Sequence, residues 1–305
     1  MMAKIIGVVM SYQIAAGLVE ENRLAGQLLL HPGTASATYA FEGKSNESII
    51  ELLLGQIESV RADQTVSAVG LAMPGIIREG LIEESPNLPQ TKGFHLQEVL
   101  VAELERRGHR VPVRVFNDAD AIAAGLAATR GHLHRLIRVW NLSHGVGFGR
   151  YPWTDGIWEG GHTVVTLDPA ERYCGCSGRG HLEGIVGGRA MRLRFLDMEP
   201  EEIFAAARVG DARCADFVKL WHRALAAATA SSIALEGPGR FFFTGPNARF
   251  IEPGRLDVYL HEMVKMTSLQ GNHLEITDTG LETGVIGAAV NAEISARLVE
   301  PATKG

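Results

Sequence analysis

Strand-like and helix-like stretches take turns along most of this chain, and that alternation limits it to layered α/β architectures. Residues 4–10, 13–20 and 24–31 are short, apolar and β-branched with tight connections, which predicts an antiparallel meander of three strands. From Ser45 the spacing turns helical, with Ile49, Leu52, Leu53, Ile57 and Val60 on one face and Ser45 placed as N-cap. A buried strand at 66–72 ends at Pro74-Gly75, followed by a helix at 96–107, a strand at 111–116 and an alanine-rich helix at 118–128. Residues 135–141 read as a strand running into Gly145, Gly147 and Gly149, either a hairpin or a phosphate loop. Helices are predicted at 201–207 and 211–235, a strand at 241–244 and a closing helix at 283–298.

Composition narrows the partners. With 305 residues, 46% of them hydrophobic, the chain buries a sizeable core and is long enough for two lobes. A net charge of −6, and no Lys/Arg cluster interleaved with aromatics, argue against nucleic acid. No apolar stretch approaches the roughly 20 residues that span a bilayer, so no membrane partner is expected. The first ten residues lack a small-residue cleavage site, and the expected location is the cytoplasm. Of three cysteines, two stand one residue apart, a poor basis for disulfides and a natural one for metal.

Residues 156–188 are rich in Gly, His, Cys and Thr with little periodicity, too long for a passive connection. They hold His162, Cys174, Cys176 and His181, a set that suits a closed, structural tetrahedral zinc site; the alternative is coincidence within a loop. Asn117-Asp118 stands where an apolar strand gives way to a helix. Open α/β sheets put ligands there, although the pair alone reads first as a helix cap. Glu159 and Glu183 flank the proposed ligands, and their default reading is surface solvation. Cys214 reads as a packed thiol, His144 and His222 show no ligand spacing, and Trp153 and Trp158 stack on a ligand or simply pack.

Three segments carry a resemblance. Asn117-Asp118-Ala-Asp120, Trp158-Glu159-Gly160-Gly161-His162 and Cys174-x-Cys176-Ser177-Gly-Arg-Gly180-His181-x-Glu183 resemble the signature of the ROK family of sugar kinases and sugar-responsive repressors. The family patterns are N-D-A-N, G-E-x-G-H and C-x-C-G-x-x-G-C-x-E, so Asp120, Ser177 and His181 are departures, the last still a zinc ligand. The stretches at 70–75 and 85–88 resemble further family segments. The resemblance implies an actin-like ATPase (ribonuclease H-like) fold, two lobes with a central cleft. Residues 1–117 form the small lobe, joined by the C-terminal helix 285–305, and residues 118–284 the large lobe with the zinc loop. It further implies a homodimer, a sugar ligand, Asp118 as catalytic base, sugar contacts from Gly75, Asn117, Asp118, Glu159, His162 and Glu183, and zinc on His162, Cys174, Cys176 and His181. The family's repressors carry a DNA-binding segment ahead of the first strand, and this sequence opens on that strand, so direct DNA binding is not expected.

The nucleotide side of the pattern is degraded. Family kinases carry D-x-G-G-T-K where this chain has Val8-Val9-Met10-Ser11-Tyr12-Gln13, so a carboxylate and two glycines are missing. The second phosphate loop, G-T-G-x-G, reads Ser143-His144-Gly145-Val146-Gly147, and Thr244-Gly245 replaces a glycine pair near the expected adenine site. Phosphoryl transfer depends on positioning and charge neutralisation, so the favoured reading is a sugar sensor with weak or lost kinase activity. The alternative is an active ATP- and magnesium-dependent kinase acting on a hexose 6-hydroxyl.

Overall fold

Strand β1 (Lys4–Met10), buried from Ile5 onward, pairs along its length with antiparallel β2 (Ile14–Glu20), Met10 opposite Ile14. The expected third strand is interrupted. β3 (Arg23–Leu24) and β4 (Leu29–His31) pair separately with β2, and between them Gly26 takes a φ of 101°. Helix α1 (Asn46–Arg61) starts at Ser45, whose hydroxyl accepts the Ser48 N–H, and it buries Ile49, Ile50, Leu53, Leu54 and Ile57. Leu52 and Val60 are only half-buried, because the covered stripe is rotated toward Ile50 and Leu54.

Next come β5 (Ala68–Met73), parallel to β1, and a hairpin, β6 (Ile76–Arg78) with β7 (Leu81–Glu84), that the sequence reading did not anticipate. Helix α2 (Leu96–Arg106) leads into β8 (Val113–Asn117), parallel to β5, and then α3 (Asp118–Thr129). The sheet order is β3-β2-β1-β5-β8, with β4 on β2. A second sheet follows, ordered β10-β9-β11-β12. It is built from β9 (Ile137–Leu142), β10 (Val146–Tyr151), β11 (Arg240–Thr244) and β12 (His273–Ile276). Between β10 and β11 lie α4 (Glu183–Val186), α5 (Gly188–Arg194), α6 (Pro200–Arg208) and α7 (Ala212–Glu236); α8 (Pro253–Met263) precedes β12, and α9 (Leu281–Val299) closes the chain.

This computed structural model describes residues 3–34, 41–154 and 156–299, so both ends of the lobe that the sequence reading assigned to 1–117 and 285–305 extend beyond it. Two compact units emerge, one of residues 1–135, 149–157 and 279–305, the other of 136–148 and 158–278. The sequence reading opened the second lobe at Asp118, whereas α3 groups with the first unit. The reason is its packing on α9, where a Cβ on Gly125 would lie 1.9 Å from the Thr283 carbonyl oxygen and one on Gly287 1.7 Å from that of Ala121. The same helix meets the first sheet at Gly7 and Gly70, register partners on β1 and β5. Backbone touches backbone at these points, and any side chain would wedge the layers apart.

In the second unit, the 25-residue α7 is held at both ends. Asp211 caps its start by accepting the Cys214 N–H. At its end the fully buried Arg138 of β9 donates to the carbonyls of Ser232 and Gly237 and lies 4.0 Å over the Phe241 ring. A guanidinium suits this place, because the last carbonyls of a helix carry partial negative charge. His222 is also fully buried; its Nδ1 donates to Val218 O and its Nε2 accepts the Glu252 N–H at the start of α8. Both bonds belong to the neutral ring, and burial lowers its pKa. Cys214 is a packed core thiol. Among the described residues no helix is long and apolar enough to cross a membrane.

Candidate functional site

In the first unit, three of the residues singled out from sequence meet where parallel strands β5 and β8 end. Met73 and Asn117 are register partners there. The Asn117 side chain caps α3 by accepting the Ala119 N–H at 2.8 Å, and its amide donates to the Gly75 carbonyl at 2.8 Å. The cap reading is therefore met in full, and the same bonds fix Gly75 beside Asn117. Asp118, the first helical residue, accepts the same Ala119 N–H at 3.0 Å. Gly75 has a φ of 133°, and a Cβ there would sit 2.5 Å from the Glu84 carbonyl oxygen, so only glycine fits. A helix N-terminus with a carboxylate and an amide at a strand end favours polar ligands. Trp153 stands edge-on to Phe116, the residue before Asn117, so in this unit it packs.

In the second unit, the Gly-, His- and Cys-rich segment folds back on itself. Residues 163–165 and 180–182 form a short ladder through Val165 N–H to Gly180 O and Leu182 N–H to Thr163 O. The ladder sets His162 beside His181, with rings 5.2 Å apart and nearly parallel. A tight turn, Ser177 N–H to Cys174 O, brings the cysteines round. Arg194 of α5 pairs with Glu171 at the start of the turn and lies 4.4 Å over Tyr173, tying the loop to the helical layer.

The four candidate ligand atoms all lie within 4.8 Å of one another, with Cys174 Sγ to Cys176 Sγ at 3.4 Å and Cys176 Sγ to His181 Nδ1 at 3.2 Å. Bonds of about 2.3 Å to sulfur and about 2.0 Å to nitrogen give tetrahedral edges of roughly 3.3–3.8 Å; the two short spacings lie near these edges, and the four donors are close enough together to gather on one divalent cation. The Gly178 N–H points at Cys176 Sγ, the outer bond that a thiolate ligand receives. Burial, with Cys176 and Glu183 alongside, pushes the Cys174 thiol up to about 12. A bound cation reverses that balance, because it supplies the positive charge that thiolates need.

Glu183 links this loop to the β9–β10 turn. Its Oε1 receives the Gly175 N–H at 3.3 Å and its Oε2 the Val146 N–H at 3.1 Å, in the space that a Cβ on Gly145 would take. Glu159 lies just before the turn that carries His162, and loss of surrounding water raises its carboxyl pKa, opposed by His162 and aided by Glu183.

The positions assigned to nucleotide lie in turns with hydrogen bonds of their own. Between β1 and β2 the turn is Ser11-Tyr12-Gln13, none with positive φ. The Ser11 N–H and hydroxyl both bond to Gln13 O, the buried Gln13 amide donates to Pro32 O at 2.7 Å, and Tyr12 is exposed. Val8 and Met10 lie in the core. In the second loop the Ser143 N–H bonds to Gly145 O, while Ser143 O receives the Gly188 N–H and the Asn247 amide. Gly147 lies in β10, and Gly245, with a φ of 86°, closes against the Leu142 carbonyl. The buried Asn247 escaped the sequence reading, although the preceding Gly245-Pro246 is a turn signal.

Comparison with known proteins decides the kinship, since the sequence model of the ROK family matches residues 41–290. The chain belongs to the ROK family. A glucokinase from Pyrobaculum calidifontis is 30% identical over 260 residues, 78% of this chain and 83% of the relative. An N-acetylmannosamine kinase from Salmonella newport is 32% identical over 187 residues, 59% of each chain. Among solved structures, the ROK hexokinase from Thermus thermophilus superposes with a TM-score of 0.77 at 25% identity, covering 96% of this chain and 99% of that one. The ROK chain described here therefore has the actin-like ATPase fold of those sugar kinases, and the resemblance read from its motifs holds. The matched stretch begins downstream of the β1–β2 turn.

Proposed function

We propose that this ROK-family chain binds a hexose through Gly75, Asn117, Asp118, Glu159, His162 and Glu183, and that its ATP-dependent phosphotransfer is weak or lost. The observation that carries the second half is the Ser11–Gln13 turn. A phosphate cradle needs free backbone N–H groups aimed outward, and here the Ser11 N–H is consumed by Gln13 O while Val8 stands in the core where a carboxylate would meet magnesium. The sugar side rests on the carboxylates and the amide, which pair with vicinal hydroxyls and reject ligands lacking them. A zinc ion on His162, Cys174, Cys176 and His181 would fix the loop that carries Glu159 and Glu183 and leave no open position for activating water.

A second reading is favoured by Asp118 at the N-terminus of α3 and by the glucokinase kinship. There Asp118 takes the proton of the hexose 6-hydroxyl as that oxygen bonds to phosphorus, and the nucleoside diphosphate leaves with the P–O electron pair. ATP and magnesium would supply the phosphoryl group and its charge neutralisation. Calorimetry on zinc-loaded protein separates the readings. Heat from a hexose that Glu159→Ala weakens, with none from magnesium-ATP and no sugar phosphate formed, supports the sensor. Sugar phosphate accumulating at ordinary kinase rates would overturn it.

A further inference from the structure

We propose that Asp120 is a positioning residue for this site, its carboxylate holding the first turn of α3, and with it Asn117 and Asp118, against β10. Asp120 is the third residue of α3 and only 6% exposed. Its Oδ1 accepts the Arg150 N–H at 2.9 Å, across 30 residues of sequence. Next to that bond the two backbones meet. A Cβ on Gly149 would lie 1.9 Å from the Ala119 carbonyl oxygen and 2.8 Å from the Asp120 nitrogen. From the other side, the amide of the buried Asn291 on α9 reaches toward the Asp120 carbonyl at 3.5 Å.

The grip matters because of what hangs on Ala119. Its single N–H is shared by the Asn117 and Asp118 side chains, so both take their orientation from the peptide between β10 and the Asp120 anchor. An acidic group in the first turn also suits the helix N-terminus, but that role needs no reach to another element. The bond to Arg150 does the locating, and it needs an acceptor oxygen at this distance rather than a charge. Asparagine would meet that need, and the family pattern has asparagine here.

The proposal rests on the sugar-binding reading only where it concerns affinity, and the test keeps the two apart. Amide hydrogen exchange would be followed residue by residue in the full chain, beside calorimetric titration with glucose and with N-acetylmannosamine, for wild type, Asp120→Asn and Asp120→Ala. In Asp120→Ala the Arg150 and Ala119 amides should exchange about tenfold faster, the loss expected when a buried hydrogen bond is removed. The β11 amides should keep their rates, and affinity for whichever sugar binds wild type should fall about tenfold. Asp120→Asn should restore both readouts. Should the alanine variant not fold, Asp120→Glu, whose acceptor is displaced by one methylene, takes its place with the same expected acceleration. Wild-type exchange rates in the alanine variant, or an asparagine variant that restores nothing, would overturn the proposal. If wild type takes up neither sugar, the sugar-binding reading loses its support, while the exchange rates still decide the role of Asp120.

Discussion

Ser177 stands where the family pattern has glycine, and it pays a conformational penalty for it, with a φ of 66°. A side chain in that region costs about 1–2 kcal/mol. Glycine's greater freedom in the unfolded chain returns about 0.5–1 kcal/mol of that. Ser177→Gly should therefore stabilise the protein by up to about 1.5 kcal/mol, seen as a higher melting temperature; a lower one would mean that the hydroxyl holds the turn. His222 sets a pH dependence of definite sign. Its folded pKa is lowered from 6.5, so the unfolded chain takes up the proton first, and the stability it contributes is complete above about pH 6.5 and lost as pH falls below it. Melting temperatures between about pH 7.5 and 5, measured with chelator so that metal release adds nothing, should fall more steeply in wild type than in His222→Gln. Equal slopes would refute the assignment. At this scale the sequence was half legible. The Val218 carbonyl lies one helical turn from His222 and belongs to any helix drawn there, whereas the Glu252 N–H and the Arg150 partner of Asp120 each come from 30 residues away. No local pattern encodes such a meeting.

Glycines on helices show how context reverses a propensity. Gly→Ala in an exposed helix gains about 1 kcal/mol. Gly55 on α1 has open space where the methyl would go, so Gly55→Ala should stabilise by most of that amount. Gly287→Ala on α9 drives its methyl into the Ala121 carbonyl and should destabilise by about 1–3 kcal/mol despite the same helical gain. Urea unfolding of the two variants should thus give midpoints on opposite sides of wild type; movement in the same direction would mean that α3 and α9 do not touch. Elements with a strong apolar period were readable in advance, α1, α7 and α9 among them. Strand β12, His273–Ile276, was not, because none of its residues is buried and it shows no apolar run. Helix α8 hid for a related reason, having Pro253-Gly254 at its start and only Leu256 and Leu260 buried.

For the whole chain, the main test concerns the loop of the second unit. Its ladder is short, and among its residues Arg172 and Arg179 are exposed. Chelator-treated protein should be cut by trypsin at these arginines, while zinc-loaded protein resists and the first unit survives in both; equal cutting would show that the donor set holds no structural metal. The family and its fold were legible because strand and helix periods alternate along the chain and the signature residues lie in three short segments. The division into units was not, since the membership of α3 depends on glycine contacts with a helix that begins 152 positions after its own end.

The β1–β2 hairpin keeps full register up to Met10 and Ile14 without any glycine in its turn. Its cohesion resides in the paired strands and in the bonds that Ser11 and Gln13 make within the turn and to Pro32. Folding therefore asks for no glycine at this turn. A lineage that came to need recognition alone would show its first scars here, and a survey for silent members of such a family would begin by reading these few letters.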